Sequence, residues 1–195
     1  MIGFNLRFML AALMLVGLLT TTSFASKVPQ SEGPVWDFES PQWEKALALT
    51  EFKVAADSGT KDPSEPTRVE LLHHDNWLYI RFTAMDSRMD QLRTGELDEF
   101  ADAFPQGDHG EIMLLDTHWI LAFDAVGNRY DARYFDPLAD SGFRIKTRKN
   151  KDSWQVIVGI PRRMDKPFTV RFTRHLDQGR EEKERSSLTH RVELE

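Results

Sequence analysis

Apolar and polar residues alternate along the chain from Thr67 onward. Thr67-Arg68-Val69-Glu70-Leu71 alternates cleanly, which predicts a half-buried strand. His73-His74-Asp75-Asn76 predicts a tight turn. Trp77 to Met85 then places Leu78, Ile80, Phe82 and Ala84 on one face and Trp77, Tyr79, Arg81 and Thr83 on the other. An apolar face backed by a polar-aromatic one is the pattern of a sandwich strand. Residues 86–107 break the period. Met89, Leu92, Leu97 and Phe100 lie scattered among acids, and a long loop with one short helix is expected, of a length often tied to function. Alternation resumes from Glu111 to Leu115, His118 to Ala125 and Arg129 to Phe135, a meander turned at Asp116-Thr117 and Gly127-Asn128. Phe143 to Arg148 and Ser153 to Ile160 form a further pair ended by Pro161. Phe168 to Arg174 adds a strand, and Ser186 to Glu195 supplies a last edge strand. About nine short strands at regular spacing predict an all-β, antiparallel, jelly-roll-like β-sandwich.

The segment before this pattern is of another kind. Arg7 is followed by an unbroken apolar run of 12 residues from Phe8 to Leu19, and Ser23-Phe24-Ala25 places small residues where a signal peptidase reads. The run is too short for a mature spanning helix of about 20 residues. The expected organisation is a signal peptide over 1–25, a flexible lead-in over 26–40 and a sandwich domain over 41–195, acting in the periplasm or outside the cell. No membrane insertion is expected after cleavage.

Composition narrows the partners. The formal charge of −6 becomes one unit more negative when Arg7 is removed, so no electrostatic footprint for nucleic acid or an anionic membrane exists. The chain has no cysteine. An exported domain of about 170 residues without disulfides must hold together by its own core.

No nucleophile elbow, phosphate loop or cysteine nucleophile is present. Asp108, Glu111 and Asp116 are close in sequence, but 31 acids make such proximity ordinary, and a glycosidase pair is defined by its separation in space. A non-enzyme is expected. His73-His74-Asp75, Asp108-His109 and Asp116-Thr117-His118 offer nitrogen and oxygen ligands, yet none has the spacing of a strong zinc motif. They read as turn polarity, and no metal or cofactor is assigned. Among the five tryptophans, Trp43, Trp119 and Trp154 are expected inside. Trp77 is the one expected at the surface, where a ring can pack on sugar C–H groups.

Several segments, in order, resemble carbohydrate-binding module family 9. Pro41-Gln42-Trp43-Glu44-Lys45-Ala46 resembles its opening acid-x-x-Trp-x-x-Ala segment. The stretch from Thr67 to Ile80 resembles its first hairpin. Gly107-Asp108-His109-Gly110-Glu111-Ile112 resembles its Asp-x-x-Glu-Ile-Phe strand, and the stretch from Trp154 to Pro161 its late Trp strand. Arg174 with Arg185-Ser186-Ser187-Leu188 resembles its closing region. The resemblance implies a non-catalytic β-sandwich that binds a glycan between aromatic rings with polar support, often in company with polysaccharide breakdown. It implies a sugar-contacting role for Glu111, with Phe104 offered where the family has a clamp tryptophan and Asp108 beside it. The strand of Trp77 and Tyr79 provides further candidate contacts. Ala122 stands where the family carries a supporting arginine, and Leu188 where it carries Ser-Trp.

Two other classes fit the same fold. One is a heme-binding electron carrier, for which Met85, Met113, His74 and His118 are the available ligands. The other is an envelope scaffold that has lost a sugar site. The exported protein is expected to begin at Ser26. N-terminal sequencing or intact mass checks this, and retention of residues 1–25 would overturn the cleavage.

Overall fold

The computed structural model describes residues 24–95, 104–136, 138–161, 166–177 and 183–195; the expected signal segment up to residue 23 lies outside them. Strands account for nearly all the regular structure. They are β1 (Ser26–Val28), β2 (Leu47–Leu49), β3 (Lys53–Ala56), β4 (Gly59–Lys61), β5 (Thr67–His74), β6 (Trp77–Met85), β7 (His109–Leu114), β8 (Trp119–Asp124), β9 (Arg129–Arg133), β10 (Arg144–Lys149), β11 (Ser153–Pro161), β12 (Phe168–Leu176) and β13 (Glu184–Leu194). They form two sheets. One is ordered β4-β3-β13-β12-β7-β8-β9, with β1 added to β13, and the other β10-β11-β6-β5-β2. All neighbours are antiparallel except β1 and β13. Among the described residues no helix is long and apolar enough to cross a membrane.

The alternation read in β6 sets the core. Leu78, Ile80, Phe82 and Ala84 are fully buried between the sheets, with Val69 and Leu71 of β5 and Val156 and Val158 of β11 beside them. Ile112, Leu121, Phe123, Val170 and Phe172 face them from the larger sheet. Phe82 is the hub: its ring stacks on Trp154 at 5.6 Å and meets Phe52 and Phe123 edge-on at 6.4 and 5.4 Å. Trp154 joins this core and half-buried Trp119 packs against it, both on the inner side as expected.

Three expectations are corrected. The last strand, β13, is not at an edge but runs between β3 and β12 and also takes β1. The residues around 26–40 are not a free lead-in. Val28 and Val35 are buried, the Ser31 N–H donates to the His73 carbonyl at 2.7 Å, and the His73 N–H donates to the Pro29 carbonyl at 3.0 Å. Pairing of β1 with β13 and this bridge to β5 tie the segment to both sheets. The outward side of β6 is therefore not open. Val35, Phe38 and Trp43 form a second apolar cluster over Leu72, Tyr79 and Ile157, with Trp36 and Trp77 packed against it.

An ion pair is enclosed beneath this cover. Glu70 is almost fully buried and accepts from Arg81 at 2.7 and 2.9 Å and from Arg68 at 3.1 Å. Arg81 also donates to the Phe38 carbonyl at 2.8 Å and lies 4.8 Å over the Trp43 ring. Burial works to raise the Glu70 carboxyl, but the hydrogen bonds and charge of Arg81 and then Arg68 outweigh it and hold it below its ordinary value of 4.5. A depressed folded-state value gives stability that is present above 4.5 and lost as the pH falls below it. Urea unfolding should therefore find Glu70→Gln less stable than wild type by about 1–3 kcal/mol at pH 7, with the gap closing as the pH drops below 4.5.

Candidate functional site

The outer face of the larger sheet carries the chemistry. On β7 the inward positions are Gly110, Ile112 and Leu114, so His109 and Glu111 project outward. Gly110 is required by packing: a Cβ there would lie 2.6 Å from the Phe123 ring and 3.3 Å from Phe82. The antiparallel register pairs His109 with His175 of β12, and His175 in turn with Arg185 of β13. Three strands thus set His109, His175 and Arg185 in one row, with Glu111 in the next.

These groups touch. The two imidazole rings stack at 4.1 Å and 10°. The Glu111 carboxylate lies 3.0 Å from His175 Nε2, 3.7 Å from His109 Nε2 and 3.6 Å from Arg185 Nη2. Burial works to raise the Glu111 carboxyl, but His109 and His175, and then the Arg185 charge, outweigh it and hold it at about 2. The carboxylate is thus ionised across the working pH range.

Phe104 completes one wall. It is 38% exposed, and its ring meets His109 and Tyr130 edge-on, each at 5.3 Å. In front of it opens a cleft of about 200 Å³ lined by Phe104, Gln106, His109, His175, Asp177 and Arg185, among others. A groove of about 520 Å³ along β3 and β4 shares Lys183 and Glu184 with this cleft. The neighbouring residues 96–103 and 178–182, including Leu97 and Phe100 of the predicted loop, lie outside the described residues.

The other sequence candidates fall elsewhere. Asp108 is fully buried. Its carboxylate accepts from the Arg93 N–H and the Asp177 N–H, both at 2.9 Å, so it clamps two loops and does not face the cleft. Beside it, Gly107 adopts φ +78°, where a Cβ would lie 2.5 Å from the Arg93 carbonyl oxygen. Trp77 and Tyr79 sit on the far side of the molecule. Tyr79 is 2% exposed beneath Trp36, whose ring lies 5.5 Å away, and half-buried Trp77 carries Arg144 over its ring at 5.4 Å. Of the heme-ligand candidates, His74 and Met85 lie at opposite ends of the β5–β6 hairpin. Met113 and His118 line a cavity of only about 90 Å³.

His175, Arg185 and Tyr130 went unassigned in the sequence. Strand alternation places His175 on one face with Thr173 and Arg171, but its meeting with His109 depends on a register between distant segments.

The fold is a two-sheet β-sandwich with a cleft on the outer face of its larger sheet. No protein-family model matches the chain, and no curated protein matches it. Solved structures do. A carbohydrate-binding module of family 9 from Caldicellulosiruptor kristjanssonii, in complex with cellotriose, superposes with a TM-score of 0.59 at 13% identity, over 88% of this chain and 94% of that one. Its complex with glucose gives 0.59 at 12% identity, over 87% and 96%. A candidate carbohydrate-binding protein from Bacteroides uniformis gives 0.57 at 8% identity, over 88% and 97%. The chain has the family 9 module fold along most of its described length.

Asp108→Ala orphans two backbone donors. Each is expected to cost about 1–3 kcal/mol, and thermal unfolding should show the loss as a lowered Tm.

Proposed function

We propose that this protein is an exported, non-catalytic glycan-binding module that takes its ligand in the cleft before β7. The observation that carries the reading is the half-exposed Phe104 ring at the edge of a cleft that also presents the hydrogen-bonding side chains of Gln106, His109, His175, Asp177 and Arg185. A sugar ring has apolar C–H faces and a rim of hydroxyls. It is suited to a site with one aromatic wall and polar groups around it. Gln106, Asp177, Lys183 and Arg185 supply donors and acceptors there. The adjoining groove along β3 and β4 extends the surface past Lys183 and Glu184, which favours an oligosaccharide over a single sugar. The neighbours' cellotriose and glucose make β-glucan fragments the first ligands to test, and export with polysaccharide breakdown fits the same role.

Glu111 acts from behind the cleft in this reading. Its carboxylate is engaged with His109, His175 and Arg185, so it holds those side chains in place and need not meet sugar directly.

The test is calorimetry of the exported protein against cello-oligosaccharides, preceded by a glycan array. Phe104→Ala should weaken binding roughly three- to tenfold, as expected for loss of one aromatic contact, with thermal stability nearly unchanged. An array without hits would overturn the glycan reading. Binding unaffected by Phe104→Ala would move the site to another surface, the exposed Tyr134 and Phe135 being next in line.

A further inference from the structure

We propose that His109, Glu111 and His175 form a site for one divalent transition-metal cation, with an open coordination position facing the cleft. Their ligand atoms all lie within 4.8 Å of one another, and both histidines line the cleft.

The His109 Nδ1 lies 2.8 Å from the Gly107 carbonyl oxygen. A carbonyl only accepts, so Nδ1 carries the proton and the ring turns Nε2 toward Glu111. That nitrogen is buried and has no hydrogen-bond partner. The carboxylate is 3.7 Å from it, beyond hydrogen-bond reach. His175 Nε2 lies 3.0 Å from the same oxygen and is likewise buried without a hydrogen-bond partner. Two nitrogens and an oxygen thus converge without satisfying one another.

The surroundings supply what a metal site needs. A ligating histidine ordinarily donates its other N–H to a carbonyl or carboxylate, which fixes the ring; Gly107 does this for His109, and its own φ of +78° aims that loop. Arg185 approaches Glu111 through the second carboxylate oxygen and leaves the first, the one nearest both rings, for the metal. Two imidazoles and one carboxylate suit Zn²⁺, Co²⁺ or Ni²⁺ better than Ca²⁺ or Mg²⁺, which prefer all-oxygen sets. Ligand atoms around tetrahedral zinc lie about 3.4 Å apart for bonds of about 2.0–2.1 Å. Closing the set therefore requires His175, the more exposed ring at 27% against 8%, to turn out of its stack on His109, because two parallel rings cannot both aim an in-plane lone pair at one ion. Three protein ligands leave a fourth position to water or to a hydroxyl of a molecule in the cleft.

The proposal is independent of glycan binding and is tested without sugar. The exported protein, purified without a histidine tag and stripped with a chelator, is titrated with Zn²⁺ by calorimetry and with Co²⁺ by visible absorption. One equivalent should bind, with Co²⁺ bands of tetrahedral intensity. His175→Ala and Glu111→Gln should each weaken Zn²⁺ binding by roughly a hundredfold or more, since even loss of an outer-shell partner costs about 10–100-fold. His175 is partly exposed, so its variant keeps the test open should a His109 variant fail to fold. Absence of stoichiometric uptake, or uptake unchanged in both variants, would overturn the site. Cello-oligosaccharide binding that persists in metal-free protein would leave the glycan reading standing either way.

Discussion

The close seating of β7 against the phenylalanines of the core is the constraint on which the functional face depends. Phe82 is wedged among Trp154, Phe52 and Phe123, and the Phe123 and Phe82 rings occupy the space a side chain at position 110 would need. Only glycine lets the strand lie there. Because side chains alternate along a strand, fixing Gly110 inward fixes His109 and Glu111 outward. Pairing with β12 and β13 then brings His175 and Arg185 to them. The chemistry on the surface follows from close packing in the interior, where volume is conserved to within a methylene.

Three charged groups show how position decides the role of a side chain. Glu70 is enclosed with two arginines beneath an apolar cover and fastens the segment around residues 35–46 to the smaller sheet. Arg174 is equally buried but faces inward at the end of the sandwich. It donates to the Glu65 and Pro66 carbonyls at 3.3 Å and lies 3.7 Å from Asp86, tying β12 to the start of β5 and the end of β6. Burial lowers its affinity for a proton and raises that of Asp86. Glu111 alone of the three lies behind side chains that line an open cleft. Its ionisation serves a surface and not a joint.

What the sequence made legible follows the range over which each feature is determined. The alternation of β6 and the meander of β7, β8 and β9 are local, and the strands and their inward faces could be read directly. The outward parity of Trp77 and Tyr79 was also correct. Their availability was not, because the covering residues Trp36, Phe38 and Trp43 arrive from a proline-bearing segment that shows no strand period. Asp108 and Glu111 are three residues apart and look alike as acids. One points into two loop backbones and the other onto the sheet face, a difference set by Gly107 and Gly110. His175 was invisible as a site residue since no spacing in the chain encodes the β7–β12 register.

The likeness to family 9 modules, at 8–13% identity, speaks to the sandwich and leaves the binding face to be argued from its own residues. Those residues depart from a purely aromatic clamp. Ala122, register partner of Glu111 on β8, stands where the resemblance would have an arginine, and the small side chain leaves Glu111 uncontested from that side. The positive charge comes instead from the opposite direction, from Arg185 on β13 and the two imidazoles. An arginine on β8 would fill the space over the carboxylate and supply the charge permanently. The same fold thus presents one aromatic wall at Phe104 and, beside it, a floor of two stacked imidazoles around a carboxylate.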